Sequence, residues 1–378
     1  TQQELQRRYP KAKFREINAA IGGTGSGLGV FRVGKDVIAQ KPDLVFVEFA
    51  TNDSGVDSVE IQRNFDGIVH QIWANDPETD IVFVYTVTAK NVKSYLEGRR
   101  QPAALAMEEL AGHYGIPSVD WGVEVARRYR SGNLVMSMGE AYTALAPDIR
   151  NKDAEAIAMM KREGKTLFAK DGVHPALPGH EIYVSELFAL WDAMADLPPA
   201  DHRVKGAEAC LTPKMERARI VPIEQSMLDD GWEPLKSLMD GNWDQSLDGR
   251  HDQAPYFSSR AGKLWKATRS GATLTFRFQG SYCAIYDLLG PGCGIAEVTV
   301  DGKRLEDVSR FDGYSSYYRL GSFVVFDGEE GLHEVKIVRS AKSPTKSHVK
   351  NRQSGTSREK YRPDDLLFGS IMIVGEVK

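Results

Sequence analysis

The hydrophobic pattern of residues 15–123 alternates short apolar runs with longer amphipathic stretches. Four runs are rich in β-branched or aromatic residues and are bounded by Gly, Pro or polar residues, which predicts strands. They are residues 15–21, 43–50, 80–88 and 117–121. The stretches between them carry apolar residues at helical spacing, at residues 29–40, 59–75 and 103–114. This alternation predicts βαβ units and a parallel sheet buried on both faces, which is an α/β fold.

Residues 123–196 follow the last of these strands. Residues 123–170 are rich in charge and in helix-forming residues, which predicts helical excursions above the sheet, with a lid as one interpretation. Residues 171–180, DGVHPALPGH, are typical of a loop, and residues 181–194 predict an amphipathic helix that closes the domain. The LPP sequence that follows marks a boundary. We therefore predict an α/β domain over residues 1–196 and a linker over 197–225.

The period of the pattern changes from 3.6 to 2 in the predicted second domain, residues 226–378. An Asp301-Gly302 hairpin turn is expected there, and the alternating strands predict a β-sandwich of the jelly-roll or carbohydrate-binding-module kind. The predicted strands are residues 272–279, 281–288, 295–300, 317–326, 333–338 and 365–378. Residues 341–363 interrupt them with seven Lys or Arg residues against one acid, Glu359. A solvated loop is expected here, with a partner or active-site role as the alternative.

Charge and cysteine content exclude several classes of function. The 378 residues carry 48 Lys and Arg against 52 Asp and Glu, a formal net charge of −4, which lacks the positive excess of nucleic-acid-binding proteins. No apolar run approaches the roughly 20 residues that cross a bilayer. The first residues, from Thr1, are polar and do not resemble a signal peptide. Because the first residue is Thr and not Met, a targeting peptide removed upstream, and with it export, is an alternative to a cytoplasmic location. Cys210, Cys283 and Cys293 are too few for a disulfide framework or a zinc site; buried thiols are expected, and a Cys283–Cys293 pair is the less favoured alternative.

Asp171 and His174 are the strongest candidates for chemistry, in the loop before the last helix of the predicted α/β domain. A carboxylate three residues before an imidazole on a tight turn can accept the Nδ1 proton, which leaves Nε2 as a general base. This is the orienting half of a hydrolase triad. Taken alone, an ordinary Asp and His in a surface loop is at least as good an interpretation.

Two further segments could supply donors to an oxyanion. Residues 49–53, FATND, follow the most apolar strand, and ligands of open α/β sheets bind at the carboxyl ends of strands. The Asn52 amide is therefore a candidate donor, with an Asx turn as the alternative. Residues 18–27, NAAIGGTGSG, could present the backbone N–H of Gly23 in the same way. These glycines lack the ending of a phosphate-binding loop and match the dinucleotide fingerprint only loosely.

Together, and in this order, the three segments resemble the SGNH (Gly-Asp-Ser-Leu type, GDSL) hydrolase superfamily over residues 1 to about 195. NAAIGGTGS is similar to its second block with Gly23, FATND to its third with Asn52, and DGVHPALPGH to its fifth with Asp171 and His174. The resemblance implies a flavodoxin-like three-layer α/β/α fold and a Ser-His-Asp catalytic triad. Gly23 and Asn52 would form the oxyanion hole. Ala50 stands where the family has Gly, a mild change because the donor is the Asn side chain.

The sequence departs from that family pattern at the nucleophile. The family's first block, a strand followed by Gly-x-Ser, is not found before residue 15, and Thr1 lies within what resembles the end of the first helix. The favoured explanation places the central strand and the serine upstream of Thr1. A second uses Ser370 in Leu-Leu-Phe-Gly-Ser-Ile in a permuted arrangement. A third recruits Ser26 or Ser54, either of which could instead bond backbone in a turn.

The resemblance also implies a reaction. An acyl group would pass to serine and water would then hydrolyse the acyl-enzyme, with no metal or cofactor. The appended sandwich implies an acetylesterase acting on a glycan, so the expected partner is an acetylated carbohydrate or another small ester; a homo-oligomer stays open. The alternatives are a non-catalytic glycan-binding protein and a lipase or thioesterase. Six aromatic side chains of the predicted second domain could stack on sugar rings: Trp243, Tyr256, Trp265, Tyr314, Tyr317 and Tyr318. Most of them are expected in the core of the sandwich or on ordinary surface.

Overall fold

The computed structural model describes residues 1–138, 153–198, 201–203, 214–236, 254–347 and 358–378. They form two compact units, Thr1–Gly29 with Val33–Glu216, and Val30–Arg32 with Arg217–Lys378. The division after Glu216 falls within residues 197–225, although a strand already begins at Ala218. Among the described helices, none combines the length and apolarity that crossing a bilayer demands.

The first unit is an α/β structure. Its helices are α1 (Gln2–Arg8), α2 (Ser26–Asp36), α3 (Ser58–Asn75), α4 (Val92–Leu96), α5 (Pro102–Tyr114), α6 (Trp121–Arg130), α7 (Asp153–Arg162) and α8 (Leu177–Met194). Its strands are β1 (Leu44–Val47), β2 (Asp80–Tyr85), β3 (Ser118–Asp120), β4 (Leu134–Val135) and β5 (Thr166–Leu167). Local signals mark the helix ends, since Asp57 caps α3 through its side chain and Gly115, at φ +68°, ends α5.

The three-stranded sheet β1-β2-β3 is parallel, as predicted, with Leu44 opposite Asp80 and Phe83 opposite Ser118. Both faces are buried. On one face Phe65 of α3 meets Phe83 edge to face, with ring centroids 5.1 Å apart. On the other, the strand residues Val82, Val84 and Val119 pack with Leu187 of α8. The strands are shorter than predicted because residues 48–53 and 86–89 leave the ladder and form loops at the carboxyl edge.

The prediction of a strand over residues 15–21 is wrong. In the described part of the chain this segment pairs with no strand, and residues 15–18 and 20 are exposed. A strand is stabilised by its ladder partners and by a buried face, and this segment has neither. Its apolar content is also modest, because only Ile17 and Ile21 carry large apolar side chains and Ile17 is 38% exposed.

Residues 123–170 differ in part from the predicted helical excursions. They contain α6 and α7, and also the small parallel pair β4-β5, with Leu134 opposite Thr166. The strand β5 leads directly into the loop of Asp171 and His174. The interpretation of residues 123–170 as a lid stays a prediction, and residues 139–152 of this segment lie outside the described residues.

The second unit is an antiparallel β-sandwich, as predicted. It contains β6 (Ala218–Pro222), β7 (Trp232–Pro234), α9 (Ala254–Ala261), β8 (Trp265–Ala267), β9 (Thr273–Leu289), β10 (Ile295–Val300), β11 (Lys303–Arg304), β12 (Val308–Ser309), β13 (Arg319–Arg339) and β14 (Leu366–Val377). The strand order is β11-β10-β13-β9-β14-β8-β7, with β12 on β10 and β6 on β14. Asp301 and Gly302 form the expected turn, with φ +51° and +76°.

Two pairs of predicted strands are fused into single long strands, β9 and β13. Phe278 and Cys283 of β9 both belong to the sandwich core although their numbers differ in parity, so the strand changes the face it presents between them. A Cβ atom on the intervening Gly280 would lie 2.2 Å from the Val374 carbonyl oxygen, and the β14 register shifts at that point. The glycine therefore allows a bend that wraps one strand around the core.

Cys283 and Cys293 are buried free thiols, which confirms the expectation for these two cysteines and excludes the Cys283–Cys293 pair. Burial raises the pKa of both thiol groups. Cys210 lies outside the described residues.

Candidate functional site

The loop that follows β5 holds Asp171 and His174 at the carboxyl edge of the main sheet. Its base is closed by an Ala169–Pro175 bridge and by the Ala176 N–H, which donates to the Phe168 carbonyl at 2.7 Å. Its tip is fixed from outside, because the Ala89 N–H, just beyond β2, donates to the Gly172 carbonyl at 2.7 Å. The loop is thereby attached to the end of a core strand.

Within this loop the His174 Nδ1 atom lies 2.7 Å from Asp171 Oδ2. The other oxygen, Oδ1, accepts the backbone N–H groups of Val173 at 2.9 Å and His174 at 2.8 Å. Burial alone would raise the pKa of Asp171, but the His174 ring and these two N–H groups outweigh it, so the pKa is below its usual value. An ionised Asp171 accepts the Nδ1 proton, and Nε2 is then the ring nitrogen that can exchange a proton with a substrate.

The glycine-rich segment and the FATND segment meet at Asp53. Its carboxylate is buried and accepts the Ser26 N–H, at 3.1 Å to Oδ1 and 3.3 Å to Oδ2. A Cβ atom at Gly25 would lie 2.1 Å from Oδ1, so this approach requires glycine. Burial raises the pKa of Asp53, against the opposing effect of the Ser26 bonds. Gly23, at φ +73°, lies two residues before this contact, and Asn52 is the exposed residue next to Asp53.

Hydroxyl groups join the ends of β1 and β2. Thr51 Oγ1 lies 2.6 Å from Thr86 Oγ1, and the Thr86 hydroxyl donates to Glu48 at 2.5 Å. Three contacts therefore tie the predicted segments together: Ser26 to Asp53, Thr51 to Thr86, and Ala89 to Gly172. The structure collects the segments of Gly23, Asn52, Asp171 and His174 at one edge of the sheet.

Of the three internal serine candidates, Ser54 is exposed, whereas Ser26 and Ser370 are buried with engaged hydroxyl groups. Ser26 is fully buried at the start of α2, and its Oγ accepts the Asn64 amide at 3.2 Å. Ser370 lies in β14 of the other unit, is 2% exposed and donates to the Ala261 carbonyl oxygen. These contacts give both serines a structural role, so the position of the nucleophile stays a prediction.

The aromatic candidates of the second unit divide by exposure. Trp265 is buried in the core, Tyr317 and Tyr318 are half-buried, and Tyr314 is 54% exposed. The side chains of Trp243 and Tyr256 lie outside the described residues.

The basic run is tied to the sandwich at its described lysines. The Lys346 ammonium group donates to the Tyr361 carbonyl at 3.0 Å and pairs with Asp364, and that of Lys360 donates to the Ser316 carbonyl at 2.9 Å. Residues 348–357 lie outside the described residues. The described contacts fasten the ends of the run to the sandwich.

Sequence reasoning missed Glu48, Asp53 and Thr86, which hold the edge of the sheet together. A signal existed for Glu48, since it is the one carboxylate inside the apolar run LVFVEFA. Charged residues rarely enter such a run unless they have partners. No cluster of three or more His, Cys, Asp or Glu side chains suited to a metal ion occurs among the residues that the structure describes.

Comparison with known proteins finds a family match in the first unit and a structural match over both units. Residues 1–182 match the model of the GDSL-like Lipase/Acylhydrolase family. No match is found among curated protein sequences. Among solved structures, a two-domain esterase active on acetylated mannans superposes with a TM-score of 0.66 at 18% identity, covering 99% of this chain and 84% of that one. The same esterase co-crystallised with mannopentaose gives a TM-score of 0.65 at 18% identity, covering 99% and 83%.

The structural likeness extends over both units and, at this identity, establishes the two-domain fold. The family match covers the glycine-rich, FATND and DGVHPALPGH segments on which the sequence resemblance was based. With an Asp-His pair at the carboxyl edge of a parallel sheet, the observations agree on an ester hydrolase. Residues 1–182 of this chain are thus similar to the GDSL-like lipase/acylhydrolase family, in agreement with the sequence resemblance.

Proposed function

We propose that the protein is a serine esterase that removes acetyl groups from a carbohydrate through an acyl-enzyme. The observation that carries this proposal is the Asp171–His174 pair, with 2.7 Å between Oδ2 and Nδ1, on a loop fixed to the carboxyl edge of the sheet. An imidazole held in this way has the correct tautomer to accept the proton of a hydroxyl nucleophile at Nε2.

The proposed reaction uses the chain's own groups in two steps. His174 takes the proton of the serine hydroxyl as it attacks the ester carbonyl, and Asp171 stabilises the imidazolium that forms. The Gly23 N–H and the Asn52 side-chain amide donate to the negatively charged oxygen. His174 returns the proton to the leaving alcohol, and then activates water to release the acid.

Support for a carbohydrate substrate comes from the second unit. A β-sandwich with an exposed tyrosine, Tyr314, offers an aromatic face of the kind on which sugar rings stack. The chain also matches both domains of an esterase active on acetylated mannans. These observations favour an acetylated glycan over a free small ester.

A serine-directed fluorophosphonate probe tests the mechanism. We expect one covalent adduct by intact-protein mass, absent in the His174→Ala variant, and peptide mapping then identifies the nucleophile. An adduct on Ser26 or Ser370 would require those buried hydroxyl groups to leave the contacts described above, whereas Ser54 is exposed. Hydrolysis without any adduct would contradict the serine mechanism.

A series of nitrophenyl esters and acetylated mannan or xylan oligosaccharides tests the substrate. We expect a steep preference for acetate and a higher kcat/KM for the acetylated oligosaccharides. The second candidate is a hydrolase of longer acyl chains, favoured by the exposed apolar side chains of Val173 (41%) and Leu177 (66%) on either side of His174. A preference for octanoate over acetate would establish that candidate instead.

A further inference from the structure

Glu48 lies directly after β1, four residues before Asn52, with its carboxyl group in the half-buried end of the strand. That group accepts the Thr86 hydroxyl at 2.5 Å. The Thr86 hydroxyl in turn lies 2.6 Å from the hydroxyl of Thr51, in the turn that carries Asn52. The Glu48 carboxylate is therefore linked to that turn through Thr86, which lies just beyond the neighbouring strand β2.

These contacts hold the turn on both sides of Asn52. Thr51 immediately precedes Asn52, and its hydroxyl contacts Thr86, the residue that donates to Glu48. On the far side of Asn52, Asp53 is bonded to Ser26. Asn52 is thus the exposed residue between two anchored neighbours, and the anchor on its N-terminal side leads from Thr51 through Thr86 to Glu48.

The stability of the fold does not require a carboxylate here. Burial raises the pKa of Glu48 even though its carboxylate accepts the Thr86 hydroxyl. When the folded-state pKa of an acid exceeds the unfolded value, the folded state binds the proton more tightly, so stability falls as pH rises through that interval. The titratable side chain that faces it from α8 is Tyr183, which carries no compensating positive charge, and Glu48 forms no ion pair within the described ranges.

We propose that Glu48 is a positioning residue: its carboxylate fixes the turn of residues 50–53 and so holds the Asn52 amide where the oxyanion develops. This inference rests on the proposed oxyanion role of Asn52. It assigns to Glu48 an effect on the transition state that is transmitted through Asn52, without contact between Glu48 and the substrate.

The test begins with Glu48→Gln, which keeps the size of the side chain and replaces one acceptor oxygen with a donor. We expect kcat for a nitrophenyl acetate to fall by ~10-fold or more, towards the 10²- to 10³-fold typical of a lost oxyanion donor, while KM changes less than about 3-fold. The melting temperature at neutral pH should not fall, because a buried negative charge has been removed. Thr86→Val should lower kcat in the same sense through the loss of one bond.

The matched control is Glu108→Gln. Glu108 is another partly buried carboxylate near the sheet edge, where it accepts the Tyr85 hydroxyl at 2.9 Å and the Ser118 hydroxyl at 2.7 Å, but it does not bond the turn of Asn52. We expect its kcat to stay within about 2-fold of the parent, which would show that loss of a buried carboxylate alone does not impair catalysis.

A double-mutant cycle with Asn52→Ala separates positioning from a merely structural effect. If Glu48 acts through Asn52, Glu48→Gln should cost almost nothing further in the Asn52→Ala background. Additive losses, or an unchanged kcat in Glu48→Gln and Thr86→Val, would overturn the inference, as would an unchanged kcat in Asn52→Ala. His174→Ala is measured in parallel. If this variant retains activity, the proposed function itself is wrong. If it is inactive while Glu48→Gln is fully active, the proposed function stands and only the role of Glu48 is wrong.

Discussion

At the scale of single residues, His174 combines a defined bond with high exposure. Its side chain is 85% exposed, so removing the ring creates no cavity and should leave folding intact. We expect His174→Ala to lower kcat/KM by on the order of 10³-fold or more with an unchanged melting temperature, measured by ester hydrolysis and circular dichroism.

The nearby His180 is the control for that substitution. It is exposed and lies six residues along the chain, at the start of α8, where it contacts the Tyr183 ring edge to face at 6.5 Å between centroids. His180→Ala should retain the parental rate. Equal losses in the two variants would indicate a general disturbance of the loop instead of a missing base.

Asp171 should show its contribution in the pH dependence of stability. Its pKa is lowered in the folded protein, so the folded state holds its proton less tightly than the unfolded chain. The stabilisation is therefore complete above the unfolded value of about 4 and is lost as pH falls through the lower folded value. We expect Asp171→Asn to be inactive at neutral pH and to melt below the parent there. The difference in melting temperature should shrink below about pH 4. A constant difference would mean that the charge contributes nothing.

At the scale of elements, helix α2 approaches the FATND turn closely because the residue before its first turn is Gly25. A methyl group on Gly25 would meet Asp53 Oδ1 at 2.1 Å, so Gly25→Ala must displace the carboxylate from the Ser26 N–H. We expect a loss of about 1–3 kcal/mol in unfolding free energy together with reduced kcat.

Gly34 provides the matched control in the same helix. Nothing lies within 4 Å of a Cβ atom built there, and the residue is exposed. Gly34→Ala should raise stability by up to about 1 kcal/mol, because alanine loses less backbone entropy in a helix, and should leave activity unchanged. Destabilisation by both substitutions would contradict the role assigned to the Gly25–Asp53 contact.

The elements that could be predicted from sequence are those whose own residues carry the signal. Helices α3 and α5 have apolar residues at helical spacing and begin within one residue of the prediction, at Ser58 and Pro102. Residues 15–21 have strand-like composition but no ladder in the described chain, and pairing is a property of two segments. The fusion of two predicted strands into β9 also depends on a second segment, because the path of β9 is set by the neighbouring strand β14. Gly280 marks an interruption in the sequence, and only the approach of Val374 shows that it is a bend.

In the candidate site, too, contacts between residues close in sequence could be predicted, and contacts between distant residues could not. The short-range Asp171–His174 pair could be predicted from a spacing of three residues, and the geometry agrees. The bonds of Glu48 to Thr86 and of Asp53 to Ser26 join positions 38 and 27 residues apart, and no local pattern contains them. The position of the nucleophile and the substrate remain predictions from resemblance.

At the scale of the whole molecule, each unit has its own core, so each should unfold in its own transition. A substitution in the core of one unit should therefore shift only the transition of that unit.

The second unit contains a buried ion pair in which Arg310 donates to both oxygens of Asp287, at 2.5 and 2.7 Å. Burial raises the pKa of Asp287 even with Arg310 present. Arg310→Ala should lower only the transition of the second unit, by about 3–5 kcal/mol, since it leaves a buried carboxylate without its partner. The loss should grow with rising pH, because ionised Asp287 then has no counter-charge.

Calorimetry of the full chain tests this, with Arg277→Ala as control. Arg277 pairs with Glu334 on the surface of the same sheet, with both side chains more than half exposed, so its removal should change stability by less than about 1 kcal/mol. A single transition shifted as a whole by Arg310→Ala would mean that the two units unfold together.

The hydrogen bond from Ala89 to Gly172 makes one amide proton an indicator of the state of the catalytic loop. That proton can exchange with solvent only when the loop leaves the end of β2, so its exchange rate measures the free energy needed to separate the Asp-His pair from the sheet. A bound product or inhibitor that touches His174 should slow exchange at Ala89 although it contacts neither Ala89 nor Gly172. Occupancy of the site could then be followed by amide exchange in the absence of turnover.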